Sequence, residues 1–360
     1  ETAKAVRRIM QEFYLVIKDA DANDHLKMVF LTGITKISKA GIFSTLNHLD
    51  ELSTKEEYAS MLGYTREELE ATFDERLEQG SAKLNISRDE LLTKIKDYYN
   101  GFSFDGKHFV YNPFSILNFF SEYEFENYWI MSGLPSSLLE YAKIHTLRPE
   151  DYLGTYLKKD VLTSYEIEQA PPESFLVQSG YLTFKEKDPY LGYLLGYPNR
   201  EVRDSFSRLV LESAYAIDAR TRNQLQRNII MALRKREFQP IFDAMKQTLA
   251  NIPGKLYNKQ YQETEAYYHS IILTLLWACE LHIHAEEYTS HGISDLVLEF
   301  EGDIYVMELK TSYAKTALTQ IKTRGYTEKY TSAPYLALIG IAIDTEKRNL
   351  REYTLDDTRD

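Results

Sequence analysis

The 360-residue sequence contains one cysteine and lacks any long apolar run. A lone Cys279 excludes an internal disulfide framework and a zinc site built on cysteines. The longest apolar stretch, residues 271–279, is about half of the roughly 20 residues that a membrane-spanning helix needs, so no membrane span is expected. The N-terminus also lacks the charged-then-apolar order of a secretory signal. These absences predict a cytoplasmic protein.

Positive charge is also scarce. The chain carries 42 Lys and Arg against 54 Asp and Glu, a formal net charge of -12. Because non-specific nucleic-acid binding is driven by cations that neutralise phosphates, this balance argues against a broad basic surface. It leaves room for a local site, since carboxylates are the side chains that hold divalent cations.

A third absence concerns phosphate binding. The sequence contains no GxxxxGK[ST] loop and no acidic strand of the Walker-B kind. The chain as given therefore cannot assemble the usual ATP site.

Hydrophobic spacing outlines the first two thirds of the chain. It predicts an amphipathic helix to about Ile17, then a buried strand over Lys27–Gly33. Capping signals start two further helices, Thr65–Gln79 and Ser87–Tyr99. From 112 to 252 the pattern is mainly helical, with a β-hairpin in 180–197 and a break at 251–254.

The last hundred residues change to an αβββαβ order. The predicted elements are a helix over Glu263–Leu281, strands over His282–Tyr288, Ile293–Glu301 and Ile304–Lys310, a helix over Ala314–Tyr330 and a strand over Tyr335–Ile343. A final strand near 351–353 is only weakly signalled.

Three ionisable side chains stand among the apolar residues of the second and third strands. Gly302-Asp303 suits a two-residue hairpin turn, which would set Asp295 opposite Lys310. Because side chains alternate along a strand, Glu308 and Lys310 then share one solvent-exposed face with Asp295. The plainer interpretation of these three side chains is an ordinary solvent-exposed face of an antiparallel sheet, with Lys310 in a cross-strand ion pair.

This arrangement resembles the PD-(D/E)XK nuclease superfamily, in particular the nuclease-like domain that follows an AAA-ATPase-like domain in many bacterial proteins. The family pattern is a glutamate, Gly-Arg-x-Asp, a hairpin, Glu-x-Lys, and a helix with a Gln and a Tyr. The matching residues here are Glu286, Gly292, Asp295, Glu308, Lys310, Gln320 and Tyr326. Ile293 stands where the family usually has Arg, which makes activity less secure.

The resemblance implies roles for these residues. Asp295 and Glu308 would hold Mg²⁺ or Mn²⁺, with Glu286 completing the shell, or Glu287 if the strand phase differs by one. Lys310 would orient the attacking water or stabilise charge on the phosphate.

Two helices would border that site. Gln320 would be a polar positioner, with Tyr326 the weaker choice because it lies about 240° further round the helix. Glu265 is best interpreted as an exposed helix residue, although related nucleases can use a carboxylate there.

The N-terminal half also resembles the AAA-ATPase-like partner of that family, over about Met28 to Leu139. The matching stretches are VFLTGITKIS (29–38), FSTLNHLDELS (43–53), GYTREEL (63–69), DYYNGFSF (97–104) and YNPFSILNFF (111–120). In the family, the strand ending at Thr32 lies beside the nucleotide, which makes Thr32 and Lys36 candidate cofactor-binding residues. The plainer interpretation is a strand end and loop. Either the sequence is part of a longer protein, which Glu1 in place of Met favours, or the module has lost its phosphate loop and serves as a scaffold.

We therefore predict a multidomain α/β protein. Residues 1–125 would be the latter part of an ATPase-like domain, 126–254 a helical region with a hairpin, and 255–360 a restriction-endonuclease-like domain. The predicted function is Mg- or Mn-dependent hydrolysis of DNA or RNA, in a possible homo-oligomer, with ATP bound only in a longer parent protein. The alternatives are an inactive nuclease-fold scaffold and an ATP-dependent switch.

Overall fold

The computed structural model describes residues 2–18, 25–33, 50–131, 149–158, 161, 171–252, 264–285, 288–289, 292–293 and 296–357. The chain divides into two compact units, each considered by itself below. The first unit contains residues 1–129 and 152–202, and the second contains 130–151 and 203–360. None of the helices in the described ranges combines the length and apolarity needed to cross a bilayer.

The helices of the first unit start where local capping dictates. Thr65 accepts a hydrogen bond from the backbone N–H of Glu68, whose side chain accepts in return from the Thr65 N–H. Ser87 caps the next long helix by accepting a hydrogen bond from the Glu90 N–H, at the predicted start of that helix. The helices that begin in this unit are α1 Thr2–Leu15, α2 Arg66–Thr72, α3 Asp74–Leu84, α4 Arg88–Tyr99, α5 Pro113–Glu122, α6 Tyr128–Met131, α7 Pro172–Gln178 and α8 Arg200–Ser213.

The helix predicted over Thr65–Gln79 is interrupted at Phe73. This residue leaves the helical conformation (φ -113°, ψ 24°) and separates α2 from α3. Its ring stacks on Phe120 at 4.8 Å and meets Tyr64 edge-on at 5.4 Å. Aromatic packing into the core of the unit therefore overrides the continuous helical pattern.

The strand predicted over Lys27–Gly33 is wrong. Residues 27–33 are irregular, and Met28 and Phe30 are 78% and 55% exposed. A strand is stable only when a neighbour satisfies its backbone N–H and C=O groups. No strand in the described part of the chain pairs with this segment.

The β-hairpin predicted in 180–197 is confirmed. Strand β1 (Tyr156–Leu157) pairs with β3 (Gly192–Gly196), and β3 pairs antiparallel with β2 (Thr183–Asp188). Asp188 closes the turn by accepting hydrogen bonds from the N–H groups of Tyr190 and Leu191, both at 2.7 Å.

The second unit contains the αβββαβ order that the sequence predicts, preceded by two helices and followed by one strand. Its five-stranded sheet has the order β10-β9-β8-β7-β4, in which β8 and β9 are parallel and the other pairs antiparallel. The helices are α9 Ala219–Lys235, α10 Gln239–Asn251, α11 Glu265–Ala278, α12 Ala314–Thr323 and α13 Tyr326–Lys329. The strands are β4 His282–Ala285, β5 Tyr288–Thr289, β6 Gly292–Ile293, β7 Leu296–Phe300, β8 Asp303–Lys310, β9 Leu336–Asp344 and β10 Asn349–Asp357.

The hairpin between β7 and β8 turns one residue earlier than predicted. Phe300 pairs with Asp303 and Leu296 with Met307, so Glu301-Gly302 forms the turn rather than Gly302-Asp303. Both turn residues have positive φ (50° and 91°), as a type I′ turn requires. Val297 consequently faces Val306 instead of Glu308.

Helix α12 crosses the sheet from β8 to β9 and packs closely on it. At Gly340 a Cβ atom would lie 2.1 Å from the Ala314 carbonyl oxygen and 2.6 Å from the Leu318 nitrogen. Gly340 is also the residue paired with Glu308 across the parallel ladder. The predicted single helix 314–330 ends at Thr323, because Gly325 adopts a φ of 74° that breaks it.

Candidate active site

The candidate site lies at the carboxyl end of β8, where Glu308 and Lys310 project from the same side of the strand. Lys310 Nζ is 2.9 Å from Glu308 Oε1 and 2.8 Å from Glu265 Oε2. The ammonium group therefore bridges two carboxylates that come from different elements, β8 and the first turn of α11.

Glu308 is the most enclosed member of the group. The residue is 1% exposed, so the prediction of a solvent-exposed strand face is wrong for this side chain. Gln320 Nε2, from α12, donates a hydrogen bond to Glu308 Oε1 at 3.0 Å. The Lys310 ammonium and the Gln320 amide, both directed at Oε1, offset part of the cost of burying this carboxylate.

Glu265 is the site residue that sequence reasoning undervalued. The sequence favoured an exposed helix position, yet its Oε1 accepts the Thr311 backbone N–H at 3.0 Å while its Oε2 accepts Lys310. The available signal was its place at the start of α11, a helix whose apolar stretch 271–279 predicts burial on all sides.

Hydrogen bonds between Lys310 and its carboxylate partners determine the protonation state of the site. Burial lowers the pKa of Lys310, but the hydrogen bonds to Glu265 and Glu308 outweigh this and raise the pKa above its ordinary value. Burial likewise raises the pKa of Glu265, and the hydrogen bonds from Lys310 and Thr311 reverse the effect and leave that pKa lowered. Lys310 is therefore a cation at neutral pH, suited to donate hydrogen bonds and stabilise negative charge rather than to act as a base.

The structure thus brings three of the predicted site residues together, Glu308, Lys310 and Gln320. Tyr326 begins the short helix α13, and Thr32 is an exposed residue of the irregular segment 27–33. Asp295, Glu286 and Lys36 lie outside the described residues. Within the part of the chain that is described, no three His, Cys, Asp or Glu side chains are grouped to hold a metal ion.

Comparison with known proteins gives two regional matches. Residues 263–353 match the family model described as the PD-(D/E)XK nuclease superfamily, which covers the whole of the site above. Residues 1–43 match a model described as a predicted AAA-ATPase.

A similarity over nearly the full length is found with a curated protein, described as an uncharacterized protein in the vnfD 5′ region of Azotobacter chroococcum mcd 1. The two are 31% identical over an alignment of 369 positions, which covers 99% of this chain and 68% of the Azotobacter protein. No solved structure matches the chain.

Proposed function

Because this chain belongs to the family of the Azotobacter protein and its C-terminal region to the PD-(D/E)XK nuclease superfamily, we propose that it hydrolyses phosphodiester bonds of DNA or RNA with a divalent metal ion. The observation that carries the proposal is the Glu308–Lys310 pair on β8, with Gln320 donating to the same carboxylate. An enclosed carboxylate can hold a divalent metal ion, and a fixed cation beside it can stabilise the negative charge that develops on the phosphate.

The proposed metal ligands are Glu308 and Asp295, with Glu286 as a third. These donors fit Mg²⁺ or Mn²⁺, hard cations that prefer carboxylate oxygens. Asp295 immediately precedes Leu296 in the sequence, and Glu308 immediately follows Met307, the residue that pairs with Leu296. When bound, the metal ion would supply Lewis-acid activation of water and of the phosphate.

The remaining residues have proposed roles around that centre. Lys310 would donate a hydrogen bond to the attacking water or to a phosphate oxygen, and its charge would offset the negative charge that develops there. Gln320 would hold the Glu308 carboxylate in place. Glu265 would act as a positioning residue, because it fixes the Lys310 ammonium from the side opposite Glu308.

A catalytically inactive scaffold is the second candidate. Ile293 favours it, since the family pattern has an arginine at this position and the site here lacks that cation. An ATP-dependent switch is a third, supported by the match of residues 1–43 to an AAA-ATPase model, and it would operate in a longer parent protein.

Cleavage of a mixed panel of labelled single- and double-stranded DNA and RNA in Mn²⁺ or Mg²⁺ tests the proposal. We expect Asp295→Asn, Glu308→Gln and Lys310→Gln each to lower the rate by about a hundredfold or more. Glu352→Gln, which alters an exposed carboxylate of the same sheet, should cleave like the wild type.

Calorimetric titration with Mn²⁺ separates the enzyme from the scaffold. Binding that Asp295→Asn abolishes supports the enzyme. Absence of Mn²⁺ binding, or cleavage that survives Lys310→Gln, would exclude this site as the catalytic centre.

A further inference from the structure

Helix α9 (Ala219–Lys235) carries five cationic residues and no acidic one. The chain as a whole has an excess of acidic residues. The exposed helix α4, by comparison, mixes Asp89, Glu90 and Asp97 with its lysines. A solvated helix face in an acidic protein normally has charges of both signs, so α9 is compositionally unusual.

Four of the five cations of α9 lie on its outer face, whereas Arg222 is only partly exposed and lies on the side of the buried residues. Leu225, Ile229, Ala232 and Leu233 are buried and attach the helix to the rest of the unit. At 100° per residue, the exposed positions after Ala219 fall within an arc of about 140° on the opposite side. They are Arg220, Asn223, Gln224, Arg227, Asn228, Met231, Arg234 and Lys235. This surface, here named the α9 face, is about 22 Å long from Arg220 to Lys235 at 1.5 Å per residue.

Ion pairs within the protein neutralise little of the positive charge on the α9 face. Arg234 is 3.3 Å from Glu301, but both side chains are more than half exposed, and such a pair is weak. Arg220 lies near the N-cap residue Asp218. Within the described residues, Arg227 and Lys235 form no salt bridge.

The chemistry of the α9 face fits a phosphate backbone better than a lipid surface. Its polar groups are guanidinium, ammonium and amide groups, all of which can donate hydrogen bonds to phosphate oxygens. A helix that lies in a membrane interface needs a broad apolar face turned to the lipid. In α9 the apolar side is buried in the protein, and Met231 is the one large apolar side chain exposed.

Contacts within the second unit locate α9 relative to the candidate site. The Tyr305 hydroxyl donates to the Leu233 carbonyl at 3.1 Å, and Gln226 Nε2 donates to the Cys279 carbonyl at 3.0 Å. Arg236, which follows Lys235, pairs with Asp303 at the start of β8, and Glu308 is five residues further, about 17 Å along the strand. Glu265 is at the far end of α11, about 21 Å from Cys279. A ligand in contact with both regions must therefore extend about 20 Å, which corresponds to about six base pairs at 3.4 Å each.

We propose that the α9 face docks the phosphate backbone of a nucleic acid at a distance from the nuclease-like site. This inference rests on the proposed function, because it identifies the substrate as a polymer long enough to reach from one region to the other. The face contributes affinity and salt dependence without sequence preference.

The test measures binding by fluorescence anisotropy in EDTA, where metal-dependent cleavage does not occur. The probes are 30-bp and 6-bp DNA duplexes, a 30-nucleotide single strand, a 30-bp RNA duplex and phosphatidylserine vesicles. The variant is Arg220→Gln/Arg227→Gln/Lys235→Gln. The control, Lys94→Gln/Lys96→Gln/Lys347→Gln, removes the same charge from exposed positions elsewhere.

For the 30-mer probes we expect the α9 variant to bind at least tenfold more weakly and the control to bind like the wild type. On duplex DNA the slope of log K against log salt should fall by up to about 2.7, since each phosphate contact contributes about 0.9. The 6-bp duplex should show a much smaller loss, and the three long probes identify which nucleic acid is held.

The proposal is overturned if the wild type binds none of the nucleic acids, if the control loses as much affinity as the α9 variant, or if only vesicles bind. A separate cleavage assay in Mn²⁺ distinguishes the two proposals. Binding that depends on α9 without cleavage supports docking and refutes the nuclease. Cleavage of 30-mers that is unaffected in the α9 variant supports the nuclease and refutes docking.

Discussion

Glu201 provides a pH-dependent prediction that is independent of the candidate active site. Its side chain is fully buried in the first unit and accepts hydrogen bonds from Ser115 Oγ at 2.9 and 3.0 Å and from the Trp129 N–H at 2.5 Å. Burial raises the pKa of this carboxyl group from 4.5 to about 8, although those hydrogen bonds oppose the shift. The neighbouring phenols of Tyr99 and Tyr128 are themselves electrostatically coupled to it.

The sign of the effect follows from proton linkage. Because the folded state holds the proton more tightly than the unfolded chain, the stabilising contribution is complete below pH 4.5 and is lost as pH rises through about 8. At about 1.4 kcal/mol per unit of pKa difference, the loss is on the order of 5 kcal/mol. Glu201→Gln keeps the shape of the protonated acid and removes the titration.

Hydrogen exchange of peptides from α5 and α8 gives the free energy of local opening at each pH. At pH 5 we expect the Glu201→Gln variant to be as stable as the wild type or less stable. Its amide group has two hydrogens to donate, whereas the protonated carboxyl group of Glu201 has one, and the second amide hydrogen needs an acceptor. At pH 8.5 the variant should be more stable by a few kcal/mol. Glu212→Gln, at an exposed position of the same helix, should follow the wild type. Parallel pH profiles for wild type and Glu201→Gln would refute the reasoning.

Three further substitutions test the packing of the second unit by thermal melting. Gly340→Ala should destabilise it by about 2–3 kcal/mol, because the new methyl group would collide with the Ala314 carbonyl; an unchanged melting temperature would disprove the close approach. Tyr305→Phe should cost about 1 kcal/mol through loss of the hydrogen bond to the Leu233 carbonyl, and a neutral result would mean that water replaces it. Arg236→Ala should lower the melting temperature, since Asp303 is only 8% exposed and would lose a two-point partner, whereas an unchanged or raised melting temperature would contradict this account.

The sequence predicted elements where local signals and packing agree. The capped helices at Thr65 and Ser87 and the αβββαβ order of the second unit are confirmed, because each has a clear hydrophobic period and boundary residues. The segment 27–33 has the composition of a strand, but strand formation depends on a neighbour that composition does not supply.

The details of the site depended on long-range contacts. The turn moved to Glu301-Gly302, and Asp303 is instead bound by Arg236, a residue 67 positions earlier in the chain. Glu265 contacts Lys310, which is 45 positions later in the chain. Neither contact can be predicted from the periodicity of the sequence. Glu308 and Lys310 were identified because alternation along a strand is a local property.

The contacts of Arg236, Tyr305 and Phe242 also bear on how the C-terminal region could be studied alone. Phe242 of α10 packs against Tyr353 of β10 at 5.0 Å, so part of the sheet is covered by α9 and α10, two helices that lie outside the family match at 263–353. A fragment cut at residue 255 would expose Tyr353 and strip Asp303 of its counter-ion. One that begins near Arg203 would retain this covering layer, and is the sensible starting point for isolating the nuclease-like half.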